Sequence, residues 1–120
     1  MTRKYDLEER LITFAVNVII LVESLPGNKA SPHLGNQLLR SGTSPSLVYG
    51  EAQGAETRKD FTHKLGIILK ELRETSINIK ILRRLSLCNN DELLNESKEL
   101  IAIFTKSIST TRRNTTRHAP

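Results

Sequence analysis

Apolar residues recur along this chain at alternating spacings of four and three, the pattern of the buried side of a helix in a bundle. The first such series is Leu7, Leu11, Phe14, Val18, Leu21 and Leu25. Asp6 and Glu9 ahead of it have the spacing of a capping box, and Pro26 and Gly27 end it. The pattern predicts a first helix over about residues 6–25.

The rest of this helix's circumference is also apolar. Its further apolar residues are Ile12, Val16, Ile19, Ile20 and Val22. A helix that is apolar nearly all round must be buried on more than one face. In a chain of 120 residues this requires a partner subunit, so the sequence predicts a homo-oligomer.

The second helix is predicted to begin at Ser31, a good N-cap that is followed by Pro32 at the first helical position. Pro45 cannot donate a backbone hydrogen bond to the carbonyl of Ser41, so the helix must bend there. Apolar residues continue beyond Pro45 as far as Gly50. We therefore expect one kinked helix and not two separate ones.

Two more helices complete the pattern. Thr57 and Asp60 provide a cap for a third helix over about residues 58–87, whose series is Phe61, Leu65, Ile68, Leu72, Thr75, Ile79 and Leu82. Asn89 and Asn90 form a turn before a fourth helix, whose inward residues are Leu93, Leu94, Leu100, Ile101, Phe104 and Ile108. The sequence predicts an all-α protein, with an antiparallel up-down four-helix bundle over residues 1–109.

The end of the chain differs from this pattern. Residues 110–120 read TTRRNTTRHAP, with almost no apolar content and no acidic residue. Such a composition predicts a disordered basic C-terminal tail. The net charge of the chain is +5, and Arg112, Arg113 and Arg117 supply three of these charges. A basic balance favours polyanionic partners without specifying a fold.

Several classes of protein are disfavoured. The apolar run over residues 11–22 is shorter than the roughly 18 residues needed to cross a bilayer, and Asn17 interrupts it. Acidic residues near the start argue against the positive region of a signal peptide. The single cysteine, Cys88, cannot form a disulfide within the chain. We expect a cytoplasmic protein without a membrane partner.

Candidate catalytic groups are few. Asp60 and His63 have an i, i+3 spacing that occurs in helical metal sites, but the further inward carboxylates of such a site are missing. Glu51 and Glu56 flank Gly54, where capping or a salt bridge between subunits explains them better than acid–base chemistry. The sequence predicts no metal ligands, no catalytic residues and no cofactor, so we do not expect an enzyme.

A basic strip is the most notable surface feature. At about 100° per residue, five cations of the third helix fall within roughly 80° of arc beside its apolar series. They are Lys59, Lys70, Arg73, Lys80 and Arg84, and they extend over roughly 35–40 Å. The strip is either a solvated face with local ion pairs or a nucleic-acid-binding surface, extended by Arg112, Arg113 and Arg117. The chain has no Trp, its three Phe belong to the apolar series, and it has two Tyr. We therefore expect no surface for base stacking, and any nucleic acid would be contacted through its phosphates.

The segments NQLLRSGTSPSLVYGEAQGAETRKDF and HKLGIILKELRET resemble the bacterial four-helix-bundle proteins encoded in intervening sequences of large-subunit ribosomal RNA genes. That family has a ribosomal-protein-like name and is related to the accessory protein of diversity-generating retroelements. The resemblance covers residues 6–85. It implies an up-down bundle that assembles into a ring, typically a homopentamer, with a role connected to nucleic acid and no established enzymatic activity.

The matching residues are Asn36, Gln37, Arg40, Ser41, Gly42, Glu51, Lys59, Phe61, Lys70, Glu71 and Glu74. Val48 replaces an expected polar Asn, and Gly66 stands where a basic residue is commoner. Our leading hypothesis is a non-catalytic oligomeric bundle that binds RNA or DNA through phosphates, in association with ribosomal RNA intervening sequences or retroelement-like machinery. The alternative is a protein–protein scaffold, such as an adaptor for a nucleic-acid enzyme, with no direct nucleic-acid binding.

Overall fold

The computed structural model describes the backbone of residues 6–117 and the side chains of residues 6–113. It contains four helices in chain order, which are α1 (Leu7–Ser24), α2 (Ala30–Gln53), α3 (Arg58–Arg84) and α4 (Asp91–Arg117). Helix α2 packs against both α1 and α3, and α4 packs against α3, whereas α1 and α4 contact each other much less. The prediction of an all-α four-helix bundle is confirmed. In the described range, no helix has the length and apolar character of a membrane span.

The core consists of the residues that the spacing of apolar positions predicts. Its buried members from the four helices are Leu11, Phe14, Val18, Leu21, Leu38, Leu65, Ile68, Leu72, Ile79, Leu82, Leu93, Leu94, Leu100, Phe104 and Ile108. Tyr49 packs edge-on against the ring of Phe104, with 6.0 Å between the ring centroids. Burial of this apolar surface is the main favourable contribution to folding.

Helix α1 begins as its sequence predicts. Asp6 is the N-cap, and its side chain accepts a hydrogen bond of 3.1 Å from the backbone N–H of Glu9. One side of the helix is buried, but Ile12, Val16, Ile19 and Ile20 remain exposed, and Ile20 retains 59% of its accessible surface. The bundle therefore covers only one face of α1.

The start of α2 differs from the prediction. The helix begins at Ala30, and Asn28 accepts a hydrogen bond of 2.8 Å from the backbone N–H of Ser31 through its side-chain oxygen. Ser31 is itself buried. Sequence spacing placed the cap at Ser31 because Pro32 follows it, but Asn28 provides the equivalent acceptor one turn earlier.

Pro45 lies inside α2 and is buried, so the prediction of one helix and not two separate ones is confirmed. Hydroxyl groups bind backbone carbonyls in the turns around it. Thr43 donates to Leu39 at 2.7 Å, and Ser46 donates to Thr43 at 2.9 Å. These local hydrogen bonds accompany the proline that removes the backbone bond to Ser41.

The predicted end of α3 was three residues too late. The helix ends at Arg84, and Ser86 adopts a left-handed conformation with φ of 59°. The backbone N–H of Leu87 donates to the carbonyl of Leu82 at 2.9 Å, and that of Ser86 donates to Arg83 at 3.0 Å. This is the hydrogen-bond pattern of a Schellman motif. Leu87 still packs on the core, and for this reason the apolar pattern continued beyond the helix.

The fourth helix is longer than predicted. It begins at Asp91 and continues to Arg117. Asn90 precedes it, and the side-chain oxygen of Asn90 accepts a hydrogen bond of 3.0 Å from the backbone N–H of Leu93. The helix thus includes residues 110–117, which were assigned from the sequence to the basic tail, while residues 118–120 lie outside the described range. Ile108 is buried and Thr111 is half-buried. Helix propagation beyond such packed residues costs little, even where the local sequence is polar.

Three consecutive residues of α2 contact both neighbouring helices. Gly42 faces α1, where an added Cβ atom would lie 2.7 Å from both terminal carbons of Val18. Ser41 accepts a hydrogen bond of 2.8 Å from the buried hydroxyl of Thr75 on α3. Arg40 forms ion pairs with Glu71, at 3.0 Å, and with Glu74 on the same helix. These residues set the spacing of α2 from α1 and α3.

We expect Gly42→Ala to destabilise the protein by about 1–3 kcal/mol, because the new methyl group must displace Val18 in a packed contact. Urea denaturation measures the change. Gly50→Ala is the matched control on α2, because an added Cβ atom there meets nothing within 4 Å, and we expect no loss of stability. Equal stability of the Gly42→Ala variant and the original protein would contradict the close contact.

Candidate nucleic-acid interface

The five cations predicted to form a strip share the outward face of α3. Lys59, Lys70, Arg73, Lys80 and Arg84 are all exposed, while the apolar series from Leu65 to Leu82 on the other side of the helix is packed in the bundle. Twenty-seven residues of continuous helix hold them in register. The helix therefore presents them as one elongated positive surface.

Ion pairs in the described part of the chain involve other cations. Arg10 of α1 contacts Glu96 at 2.8 Å and Glu99 at 2.9 Å on α4. Further pairs join Lys64 to Glu51 at 3.0 Å, Arg83 to Asp91 at 3.0 Å, and Arg40 to Glu71 and Glu74. Each of these pairs links two helices, so these carboxylates connect neighbouring helices of the bundle.

Two of these contacts raise the pKa of the cation involved. The hydrogen bonds that Arg10 donates to Glu96 raise the pKa of Arg10 above its ordinary value, and the charges of Glu96 and Glu99 act in the same direction. The hydrogen bond that Lys64 donates to Glu51 raises the pKa of Lys64. Carboxylates within the chain thus stabilise the charged forms of these two residues.

No strip cation is within ion-pair distance of a carboxylate among the residues whose side chains are described. A solvated face with local ion pairs was one of two interpretations of the strip; its cations are exposed to solvent, but they form no ion pairs with these side chains. Unpaired charges along one helix add to the same local potential, which attracts polyanions over a range set by the ionic strength.

Part of the strip forms one side of a groove with α4. The groove has a volume of about 890 Å³ and is lined by Lys59, Thr62, His63, Gly66, Ile67, Lys70 and Arg112. Arg112 reaches this position because α4 continues beyond Ser109. The structure thus brings together three of the eight predicted site residues, Lys59, Lys70 and Arg112.

The remaining predicted residues lie outside the groove. Arg73, Lys80 and Arg84 continue along α3 towards its C-terminal end, and Arg113 is exposed on α4. The backbone of Arg117 ends α4, and its side chain lies outside the described residues. Six of the eight residues therefore form either a groove at one end of α3 or a linear extension towards its other end, and Arg113 and Arg117 belong to neither.

The extension is not purely basic. Ile77, Ile81 and Leu85 are exposed at the C-terminal part of α3, and Ile77 retains 54% of its accessible surface. They alternate with Arg73, Lys80 and Arg84 along the helix. Such a surface offers apolar as well as ionic contacts to a partner.

The other candidate groups have different surroundings. Glu51 binds Lys64 within the same chain, where the sequence had favoured capping or a contact between subunits. His63 lines the groove, whereas sequence analysis considered it only as a weak metal ligand. Over the described residues, no group of three or more His, Cys, Asp or Glu side chains is arranged to hold a metal ion.

Four residues that line the groove were not predicted from the sequence as site residues, namely Thr62, His63, Gly66 and Ile67. The signal available was spacing, because Lys59, His63, Gly66 and Lys70 are separated by four, three and four residues and so share one face of a helix. The contribution of α4 could not be found in this way, because it depends on where the last turns of that helix lie.

Fold and surface together define a small helical-bundle protein with an unneutralised basic face on its third helix. The chain belongs to the 23S rRNA-intervening sequence protein family, whose model matches residues 3–108. It is also similar to a crystal structure from Bacteroides thetaiotaomicron of a protein with unknown function from the S23 ribosomal protein family. That similarity has 31% sequence identity and a TM-score of 0.78, and covers 84% of this chain and 96% of the other. No curated protein matches the sequence.

Gly66 leaves open space in the groove, and this is testable without a ligand. An added Cβ atom there meets nothing within 4 Å, and glycine inside a helix costs about 0.5–1 kcal/mol relative to alanine. We therefore expect Gly66→Ala to raise the free energy of unfolding by about that amount in urea denaturation. A loss of stability would mean that neighbouring side chains already fill the space.

Proposed function

We propose that this protein is a non-catalytic oligomeric bundle of the cytoplasm that binds RNA or DNA through phosphate contacts. The strip Lys59, Lys70, Arg73, Lys80 and Arg84 supplies the charge, together with Arg112, Arg113 and Arg117. The binding takes place in association with ribosomal RNA intervening sequences or retroelement-like machinery. The family's description, which refers to intervening sequences of 23S rRNA, supports this context.

The proposal rests on the difference between cations that form ion pairs with carboxylates and cations that do not. Four cations, Arg10, Arg40, Lys64 and Arg83, pair with carboxylates of neighbouring helices. The exposed cations of the α3 strip have no such partner among the residues whose side chains are described. A row of unpaired lysine and arginine side chains matches the regular negative charge of a nucleic-acid backbone.

The composition of the strip indicates how binding occurs. No Phe, Tyr or Trp lies among its five cations, and the strip has no Asn or Gln, the side chains that pair with adenine through two hydrogen bonds. Phosphate contacts fix position and orientation but do not read sequence. Binding along the strip is therefore strongly salt-dependent and largely independent of sequence.

Oligomerisation is the second part of the proposal. The exposed residues Ile12, Val16, Ile19 and Ile20 form a continuous apolar surface on α1, larger than the scattered single residues common on soluble proteins. A second copy of the chain covers this surface, and a homopentamer is the assembly that we propose. Several copies of a weak strip then bind one long polyanion with much higher avidity.

A protein–protein scaffold is the alternative function. The exposed residues Ile77, Ile81 and Leu85 beside the basic residues of α3 favour it, because protein interfaces combine apolar and arginine contacts. Under this alternative, an adaptor surface for a nucleic-acid enzyme includes these residues. Neutralising Lys59 and Lys70 would then leave capture of the partner intact.

Removal of two strip charges tests the leading proposal. We expect the double variant Lys80→Ala, Arg84→Ala to weaken binding of single-stranded RNA. The plot of log affinity against log salt concentration should also become less steep by about 1.4, because each of the two lost phosphate contacts contributes about 0.7 to its slope. Fluorescence anisotropy at several salt concentrations measures both effects. The matched control is Lys98→Ala with Lys106→Ala, two exposed cations of α4 outside the groove.

The control should leave the salt dependence close to that of the original protein. Equal effects of the two double variants would show that net charge alone, and not the strip, governs binding. Affinity that does not change between low and moderate salt would contradict the phosphate-directed mode.

The assembly has its own test. We expect light scattering to give a mass that is a multiple of the 13.5 kDa of one chain. The double variant Ile12→Glu, Ile20→Glu should have the mass of a single chain, because charges cannot be buried unpaired in an apolar interface. Ala102→Glu with Thr105→Glu, at two exposed positions of α4, is the control and should retain the assembly. A single chain for the unaltered protein would refute the oligomer.

A further inference from the structure

The groove between α3 and α4 has a gap at Gly66, which has no side chain. Gly66 lies between His63 and Lys70 on the same helical face, one turn from each. Nothing lies within 4 Å of the position that a Cβ atom of Gly66 would occupy. Ile67 provides apolar surface next to this gap. The result is a notch in the basic strip with an apolar base.

Cations from two helices surround the notch. Lys59 and Lys70 belong to α3, eleven residues and roughly 16 Å apart along the helix axis, and Arg112 approaches from α4. None of the three pairs with a carboxylate among the described side chains. Flexible lysine stems and a planar guanidinium can follow phosphate groups on either side of a bound unit.

The polar groups at the notch define the ligand further. His63 supplies an exposed ring, and histidine is among the side chains on which unstacked bases stack. The hydroxyl of Thr62 already donates to the carbonyl of Arg58 at 2.9 Å, so it can accept a hydrogen bond from a base or sugar. A ligand that fits these groups has a flat, partly apolar body and an anionic group on each side.

The volume of the groove agrees with such a ligand. Its 890 Å³ lies within the range of roughly 300–1,000 Å³ that is usual for small-ligand sites. A nucleotide within a chain has a base, a sugar and two flanking phosphates. Bases in a duplex are stacked and paired, so they reach such a notch only if the duplex opens at a cost.

We infer that the groove of Lys59, His63, Gly66, Ile67, Lys70 and Arg112 binds one unstacked nucleotide of a single-stranded RNA or DNA, with the base in the notch at Gly66. The inference rests on the proposed phosphate binding by the strip and adds a preference for single strands. The rest of the strip binds duplex and single strand alike, and the notch distinguishes between them.

Filling the notch tests the inference in the full-length protein. We expect Gly66→Leu to weaken binding of an unstructured RNA of about ten nucleotides by about five-fold or more, the effect of losing one stacked base, and to change binding of an RNA duplex less than two-fold. His63→Ala should have the same selective effect without adding volume. Anisotropy at one fixed salt concentration measures all the affinities, with a DNA strand of the same sequence as a second single-stranded probe.

The control is Lys80→Ala with Arg84→Ala, which should weaken binding to single strand and duplex to similar extents. A selective loss for either single-stranded probe supports the notch, and the DNA arm shows which sugar it accepts. Unchanged or non-selective binding by both Gly66→Leu and His63→Ala overturns the inference but leaves the strip function in place. Absence of binding to every probe overturns the proposed function together with the inference.

Discussion

The close approach of α2 to α1 and α3 sets the arrangement of the helices in this bundle. At Gly42 there is no room for a methyl group beside Val18. The two preceding residues make polar contacts with α3, Ser41 through the buried hydroxyl of Thr75 and Arg40 through Glu71 and Glu74. Because packed interiors do not accommodate extra volume freely, these contacts fix the distances between three helices.

The distribution of carboxylates follows from the same packing. Glu71 is buried beside α2, and burial of a carboxylate requires a partner such as Arg40. Other acidic residues bind Arg10, Lys64 and Arg83 across helix boundaries. The carboxylates involved are thereby held away from the outward face of α3, and its cations stay exposed and unpaired. The ion pairs between helices thus leave the strip on α3 as a surface of unpaired positive charge.

The apolar face of α1 and the basic strip on α3 stay exposed after the core has formed, and they are chemically different. The apolar face of α1 consists mainly of isoleucine and valine, which favours burial against another protein surface. The strip on α3 combines cations with the open position at Gly66. Under the proposed function the first surface sets the number of copies and the second contacts the nucleic acid. Each surface can be altered separately, so its role can be assigned separately.

Periodicity alone was enough to predict the four helices, the buried series from Leu11 to Ile108 and the angular position of the five strip cations. Helical periodicity is a local property of the sequence. The side-chain acceptor of Asn28 and the end of α3 at Arg84 were missed, because the geometry of helix ends depends on hydrogen bonds that residue spacing does not specify. Two features became visible only in the folded chain: which cations pair with carboxylates, and the continuation of α4 that brings Arg112 to Lys59 and Lys70. Both depend on contacts between residues distant in sequence, and periodicity carries no information about such contacts.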